Sequence, residues 1–190
     1  MSETRRVARL QDMNDSEAVV LSGGIEVTAT SELEAVYLAH RENVFRYLRT
    51  MTGDEDAAID LAAVTFERAF AELRRGHPVG LGWLLRTARN AAIDADRRAR
   101  TAALFRLRSR QAPTLVVSAE DEAIGAELAR RLRAAMLELP APQRDAIALR
   151  YSSDLSVREI ADLVGKSQAA TQKLIERGLA RLKENLDDLA

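Results

Sequence analysis

Cysteine is absent from the 190 residues, which excludes disulfides and thiolate metal sites together. Aromatic residues make up only 4% and prolines number four, while Ala, Leu and Arg dominate; that balance favours helices over sheets. No apolar run approaches the ~20 residues of a membrane span. The N-terminal patch Val19-Val20-Leu21 is short and is broken by Ser22-Gly23-Gly24, so no membrane insertion is expected and the chain reads as cytoplasmic. Neither sign of charge prevails: the formal net charge is −1, so any affinity for nucleic acid must come from local patches. The chemistry of catalysis is missing as well. There is no Ser/His/Asp set, no paired-carboxylate site, and Gly23-Gly24 alone makes no phosphate loop, so no enzyme, cofactor or metal is expected. Asp54, Glu55 and Asp56 resemble a metal cluster, but acids at a helix N-terminus are explained by the helix dipole.

What is present is helical. Apolar residues at 47% suffice for real cores. The most informative stretch runs from Leu155 to Leu182. Ser156 and Glu159 form a capping box, Val157, Ile160, Ala161 and Val164 repeat at helical spacing, and Gly165 stands where a left-handed C-cap is wanted. Ser167 caps a second helix whose buried face is Thr171, Leu174, Ile175, Gly178, Leu179, Leu182 and Leu186. A short helix, a glycine turn and a longer helix with a polar leading edge is the helix-turn-helix pattern, whose second helix enters the DNA major groove.

Upstream, residues 1–30 lack sustained periodicity and read as a mobile extension. Ser31 and Glu34 are expected to cap a first helix carrying Leu33, Val36, Tyr37, His40, Val44, Tyr47, Leu48 and Met51, with His40 a packed histidine. Gly53-Asp54 ends it and starts a second, with Ala58, Leu61, Ala62, Thr65, Phe66, Ala69, Phe70 and Leu73 inward. The segment 74–80 is a loop, and Trp83 opens a third helix with Leu84, Leu85, Ala88, Ala92 and Ala95 inward. From Trp83 to Arg110 there are eight arginines against Asp94 and Asp96, a local surplus of positive charge that suits phosphate neutralisation. Periodicity fades over 101–122, which reads as a linker containing Pro113. A helix with Leu128, Leu132, Met136 and Leu139 on one side follows; then comes a break at Pro140-Ala141-Pro142, and a short helix from Gln143 to Tyr151. The chain is therefore expected to be all-α: two small helical domains, 31–100 and 127–190, behind an extension 1–30 and joined by a flexible linker 101–126.

Trp83-Leu84, Ala88-Arg89-Asn90, Ile93-Asp94 and Arg97-Arg98 stand at a characteristic spacing. Gly53-Asp54, Asp60-Leu61, Thr65-Phe66 and Arg68-Ala69 precede them, and Leu139-Pro140, Gln143-Arg144, Leu149-Arg150, Glu159-Ile160-Ala161, Gly165, Ser167, Arg177 and Leu182 follow. In this order they resemble an RNA polymerase sigma factor of the extracytoplasmic-function (ECF) type in the sigma-70 family, from about Ser31 to Leu186. The resemblance implies a sigma region 2 bundle that binds core polymerase and the minus-ten element, and a region 4 helix-turn-helix that binds the minus-35 element. Its implied partners are promoter DNA, the β′ clamp helices and β flap of core RNA polymerase, and an anti-sigma factor. Asp60, Leu61 and Phe66 are the implied polymerase contacts. His77, Arg86, Arg89, Asn90, Arg97 and Arg98 would engage the melted minus-ten strand. Ser156, Arg158, Ser167, Gln168, Ala169, Thr171, Gln172, Lys173 and Arg177 would form the helix-turn-helix contacts. The chain departs from the usual family pattern at Ile59, Ala63 and Val64, which replace Glu, Gln and Glu, and at Thr171-Gln172-Lys173-Leu174 in the recognition helix.

Two other readings compete. One is a helix-turn-helix regulator that binds an operator without polymerase; it has no need of the basic Trp83–Arg98 helix. The other is a degenerate sigma-like interaction module, for which Ile59, Ala63 and Val64 speak.

Overall fold

A computed structural model describes residues 30–108 and 125–187, and the described residues form seven helices and no strand. Helix α1 covers residues 30–52. Helices α2 (Glu55–Arg74) and α3 (Leu81–Arg108) complete the N-terminal half. The C-terminal half consists of α4 (Gly125–Glu138), α5 (Ala141–Ser153), α6 (Val157–Val164) and α7 (Gln168–Asp187). Residues 1–29 of the expected extension and 109–124 of the expected linker lie outside the described residues.

Local signals set most boundaries. Gly53, with φ +72°, closes α1 by donating its N–H to the Arg49 carbonyl at 2.9 Å. Asp54 then caps α2, its carboxylate accepting the Ala57 N–H at 2.8 Å, with Glu55 and Asp56 in the first turn. Pro140 starts α5 and Asp154, in the left-handed region at φ +51°, ends it; aspartate tolerates that conformation better than most residues.

Several expected boundaries shift; α5, for one, runs from Ala141 to Ser153 rather than from Gln143 to Tyr151. Thr30 is already helical, so Ser31 lies inside α1 and does not cap it. Helix α3 begins at Leu81, before Trp83, and runs past residue 100 to Arg108. The added segment, Thr101 to Arg108, contains no glycine or proline and is rich in Ala, Leu and Arg, so helix propensity carries the helix on past residue 100.

One apolar core runs through both halves. Val44, Tyr47 and Leu48 of α1 meet Ala58, Phe66, Ala69 and Leu73 of α2 and Leu84, Leu85, Ala88 and Ala92 of α3. The cluster continues into Leu149 of α5, Leu155 in the turn that follows, Ile160 and Leu163 of α6, and Ile175 of α7. A smaller cluster of Met136, Leu139 and Ile147 seats α4 on α5. Leu128 and Leu132, expected on the inner side of α4, are 64% and 42% exposed, and Ala135 takes the buried place instead. Helices α5 and α7 cross at Gly178, where an added Cβ would stand 2.6 Å from Ile147 Cδ1. Along the seam between the halves lies a cleft of about 510 Å³, lined by Arg46, Arg49 and Gly53 of the N-terminal half and Leu132, Met136 and Tyr151 of the C-terminal half.

Candidate nucleic-acid interface

Helix α3 turns one face inward and an opposed face to solvent. Leu84, Leu85, Ala88, Ala91 and Ala92 are buried. Arg86, Asn90 and Arg97 are exposed and fall on one stripe, since intervals of four and eleven residues return to nearly the same side of a helix. Arg97 lies 3.9 Å from Asp94, a loose and exposed pair. No carboxylate among the described residues bridges Arg86 or Arg98, and Arg98 sits on a different side of the helix. The outer stripe thus offers guanidinium groups flanking one side-chain amide, the combination that tracks a phosphate backbone and bonds a base edge. Trp83 is half-buried against the core, in the first turn of the helix.

The preceding loop is held by Glu72. Its carboxylate bonds His77 Nδ1 at 2.7 Å and Arg75 Nη1 at 2.7 Å. Bonding to His77, and then to Arg75, keeps the Glu72 carboxyl below the usual carboxylate range. His77 is therefore exposed but oriented back toward α2, and in this arrangement it meets a carboxylate rather than the outer stripe of α3.

Arg89 is the exception within the expected minus-ten set. It points to the other half of the molecule, where its Nε donates to Asp145 Oδ2 at 2.6 Å. Asp145 is 4% exposed, and its second oxygen accepts the Tyr47 hydroxyl at 2.9 Å. Burial first, then the neighbouring Asp145 charge, raises the Tyr47 pKa well above its ordinary value, so the phenol stays a donor. Nearby, Asn43 Nδ2 and Arg46 Nη2 both donate to the Ser152 carbonyl near the C-terminal end of α5, at 3.1 and 3.0 Å. In all four bonds the donor belongs to the N-terminal half and the acceptor to the C-terminal half. Nothing in the sequence pattern singled out Asp145: it follows Arg144 in a run that reads as a solvated turn of helix.

The helix-turn-helix is built as its sequence specifies. Ser156 Oγ accepts the Glu159 N–H at 3.3 Å while the Glu159 carboxylate takes the Ser156 N–H at 2.8 Å and its hydroxyl at 2.6 Å, which holds the Glu159 carboxyl below its usual range. Gly165 ends α6 at φ +69°. Ser167 Oγ accepts the Ala170 N–H at 3.2 Å, capping α7. Gln168, Ala169, Gln172, Lys173 and Arg177 are exposed on α7, and Arg158 is exposed on α6. Gln172 Nε2 rests on Glu176 Oε1 at 2.8 Å. Ser156 is exposed, but its hydroxyl is spent within the cap.

Two expected site residues belong to the interior. Thr171 is fully buried, which removes it from the reading surface and confirms its other expected place on the packed face of α7. Phe66 is 9% exposed and meets Tyr37 edge-on with ring centroids 4.9 Å apart; it supports the expected polymerase face from below rather than forming it. Asp60 is exposed and Leu61 half-buried on that face, with Ile59 51% exposed and Val64 37% exposed beside them.

The fold and the order of the two halves are shared with known proteins. Residues 36–102 match the model of sigma-70 region 2, and residues 129–182 match that of sigma-70 region 4. The ECF RNA polymerase sigma factor SigM of Bacillus subtilis is 29% identical over 157 residues, spanning 80% of this chain and 93% of the relative. The ECF sigma factor BldN of Streptomyces coelicolor is 28% identical over 186 residues, spanning 92% of this chain and 69% of its own. Among solved structures, the sigma factor RpoE of Bartonella quintana, in complex with the anti-sigma factor NepR, shares the fold with a TM-score of 0.63 over 83% of this chain and 96% of that one, at 23% identity. CnrH, in complex with the cytosolic domain of CnrY, matches with a TM-score of 0.64 over 90% of this chain and 97% of that one, at 21% identity. The chain belongs to the sigma-70 family of RNA polymerase sigma factors, in its extracytoplasmic-function group.

Proposed function

We propose that this chain binds core RNA polymerase, brings it to a promoter, and holds the non-template strand open, acting by binding and not by catalysis. Helices α1–α3 serve as region 2 and α4–α7 as region 4. Arg86 and Arg97 track phosphates, and Asn90 bonds an unstacked base of the minus-ten element. Gln168, Gln172 and Lys173 meet base edges of the upstream element while Arg177 meets its backbone. Asp60 and Leu61, with the exposed apolar Ile59 and Val64 beside them, face the polymerase. An anti-sigma factor is a further proposed partner, supported by the solved Bartonella quintana sigma factor, which is in complex with one. A cytoplasmic location follows from the polymerase.

The observation that carries this reading is the outer stripe of α3 on the same chain as a capped helix-turn-helix. An operator-binding regulator requires the second surface and not the first. Unstacking a base costs a few kcal/mol, and only contacts available to the open strand offset it. Asn90→Ala is therefore expected to bind core polymerase and an upstream-element duplex normally, yet fail to open the promoter, read as permanganate reactivity of unpaired thymines. Wild-type opening by this variant would remove α3 from strand capture.

A further inference from the structure

We propose that the outer face of α2 makes a water-excluding contact with core RNA polymerase: Ile59 and Val64 seal a row of unpaired acids centred on Asp60 against a partner surface that is basic with an apolar surround. The proposal rests on the assignment of Asp60 and Leu61 to the polymerase face, and it names the chemistry which that face demands of its partner.

Helix α2 sorts its outward side chains into rows. Asp56, Asp60 and Glu67 are exposed and lie in one narrow stripe, since intervals of four and seven residues return to nearly the same side of a helix. Exposed Ile59 and Ala63, four residues apart, border the stripe on one side, and Val64 borders it on the other. The opposite side of the helix carries Ala58, Thr65, Phe66, Ala69 and Leu73 and is buried.

The acids at the ends of α2 and those in its middle are handled differently. Glu55 lies 3.5 Å from Arg49, and Glu72 holds Arg75 and His77, each at 2.7 Å. Among the described residues no cation bridges Asp56, Asp60 or Glu67. Asp56 and Asp60, four residues apart, repel each other and weaken the helix that carries them. A basic partner surface relieves that repulsion.

Ile59 is 51% exposed and Val64 37%. Single apolar side chains on a surface need no explanation. These two flank the charges, the position from which near-neutral contacts keep water away from a polar one. An exposed ion pair is screened by salt and contributes little, whereas a desolvated pair is screened much less. Glutamates at 59 and 64, the usual family residues, would widen the acidic row and leave it wet. Isoleucine and valine give up two charges and dry the one at Asp60. A dry contact also makes the partner's cation obligatory, because a neutral surface pressed on Asp60 would leave a buried charge unpaired. The face therefore selects a basic centre ringed by apolar groups and rejects a surface of either kind alone. The departure at these positions is a change in how the contact withstands salt, and not a loss of contact.

The test is a double-mutant cycle read against salt. Full-length chains compete for core RNA polymerase, purified from the cells that encode the chain, against parent chain labelled at Ala180→Cys, an exposed position in a protein with no other cysteine. Asp60, Ile59 and Val64 are all exposed, so the variants are expected to fold, and helicity by circular dichroism checks it. Asp60→Asn is expected to weaken binding about tenfold, by nearly the same factor at about 0.1 M and about 0.5 M salt. In the Ile59→Ser/Val64→Ser background the same change is expected to cost about threefold at the lower salt and close to nothing at the higher. An Asp60 effect of equal size and equal salt dependence in both backgrounds overturns the seal. A loss from Ile59→Ser/Val64→Ser with none from Asp60→Asn leaves no charge to be sealed and overturns it too. If Asp60→Asn and Ile59→Ser/Val64→Ser each bind polymerase as the parent does, the assignment of this face to polymerase is wrong, and the seal falls with it.

Discussion

Thr171 and Gln172 are adjacent on the recognition helix and have opposite fates. Thr171 has no exposed surface, and its hydroxyl, buried without a partner, contributes nothing that a methyl would not. An unsatisfied buried polar group costs about 1–3 kcal/mol. Thr171→Val keeps the shape and removes that group. We expect it to raise stability by about 1 kcal/mol, or roughly 2–4 °C in melting temperature for a chain of this size. Base preference, measured by competition among upstream-element variants, should not move. Gln172 is exposed and needs only to leave Glu176 to reach a base edge. Gln172→Ala should change preference at one base position by about 1–3 kcal/mol; an equal loss on every sequence would make it a backbone contact.

At the scale of elements, α6 depends on its cap. Ser156→Ala should cost about 1 kcal/mol, measured by thermal unfolding. The effect has a pH signature. The Ser156 hydroxyl, and then its backbone N–H, hold the Glu159 carboxyl below its usual range. The stabilisation is therefore complete above the unfolded glutamate pKa of about 4.3, and is lost as pH falls through the lowered folded value. The gap between parent and variant melts should narrow on acidification to what the Glu159 N–H bond to Ser156 Oγ contributes, and a gap constant down to strongly acidic pH would exclude the Glu159 carboxylate as part of its source. Helix α7 poses a sharper contest at Gly178. Alanine gains up to about 1 kcal/mol of helix propensity, but its Cβ would lie 2.6 Å from Ile147 Cδ1 and 3.2 Å from Gln143 Cβ. Ile147 is itself 4% exposed and has little room to retreat, and overpacking costs about 1–3 kcal/mol. We expect net destabilisation by Gly178→Ala; a stabilised variant would mean that α5 and α7 slide apart without loss. These caps and turns were legible in the sequence because their partners lie within a few residues, as Asp54 does for Ala57 and Ser167 for Ala170. The reach of α3 to Arg108 was not, since its last turns are helical by intrinsic preference and carry no sustained apolar stripe for periodicity to register.

For the whole molecule, the two halves and the outer stripe of α3 could be read from residue order, but their seam could not. Asp145 finds Tyr47 and Arg89 at sequence separations of 98 and 56 residues, and Arg144 beside it is buried against the Leu137 carbonyl. Charged residues in a short helix look solvated until a distant surface covers them. The same lack of a local signal made Arg89 read as one more member of a basic face. Donors and acceptors sorted between two halves of one chain have a kinetic meaning as well. Surfaces carried on one chain meet at an effective concentration set by the chain between them, whatever the abundance of the protein. A contact too weak to hold two separate proteins together is then still occupied most of the time. For the same reason it has little residence time to overcome, so a large multisite partner can peel the halves apart stepwise, exchanging one oxygen acceptor for another without ever leaving Arg89 bare.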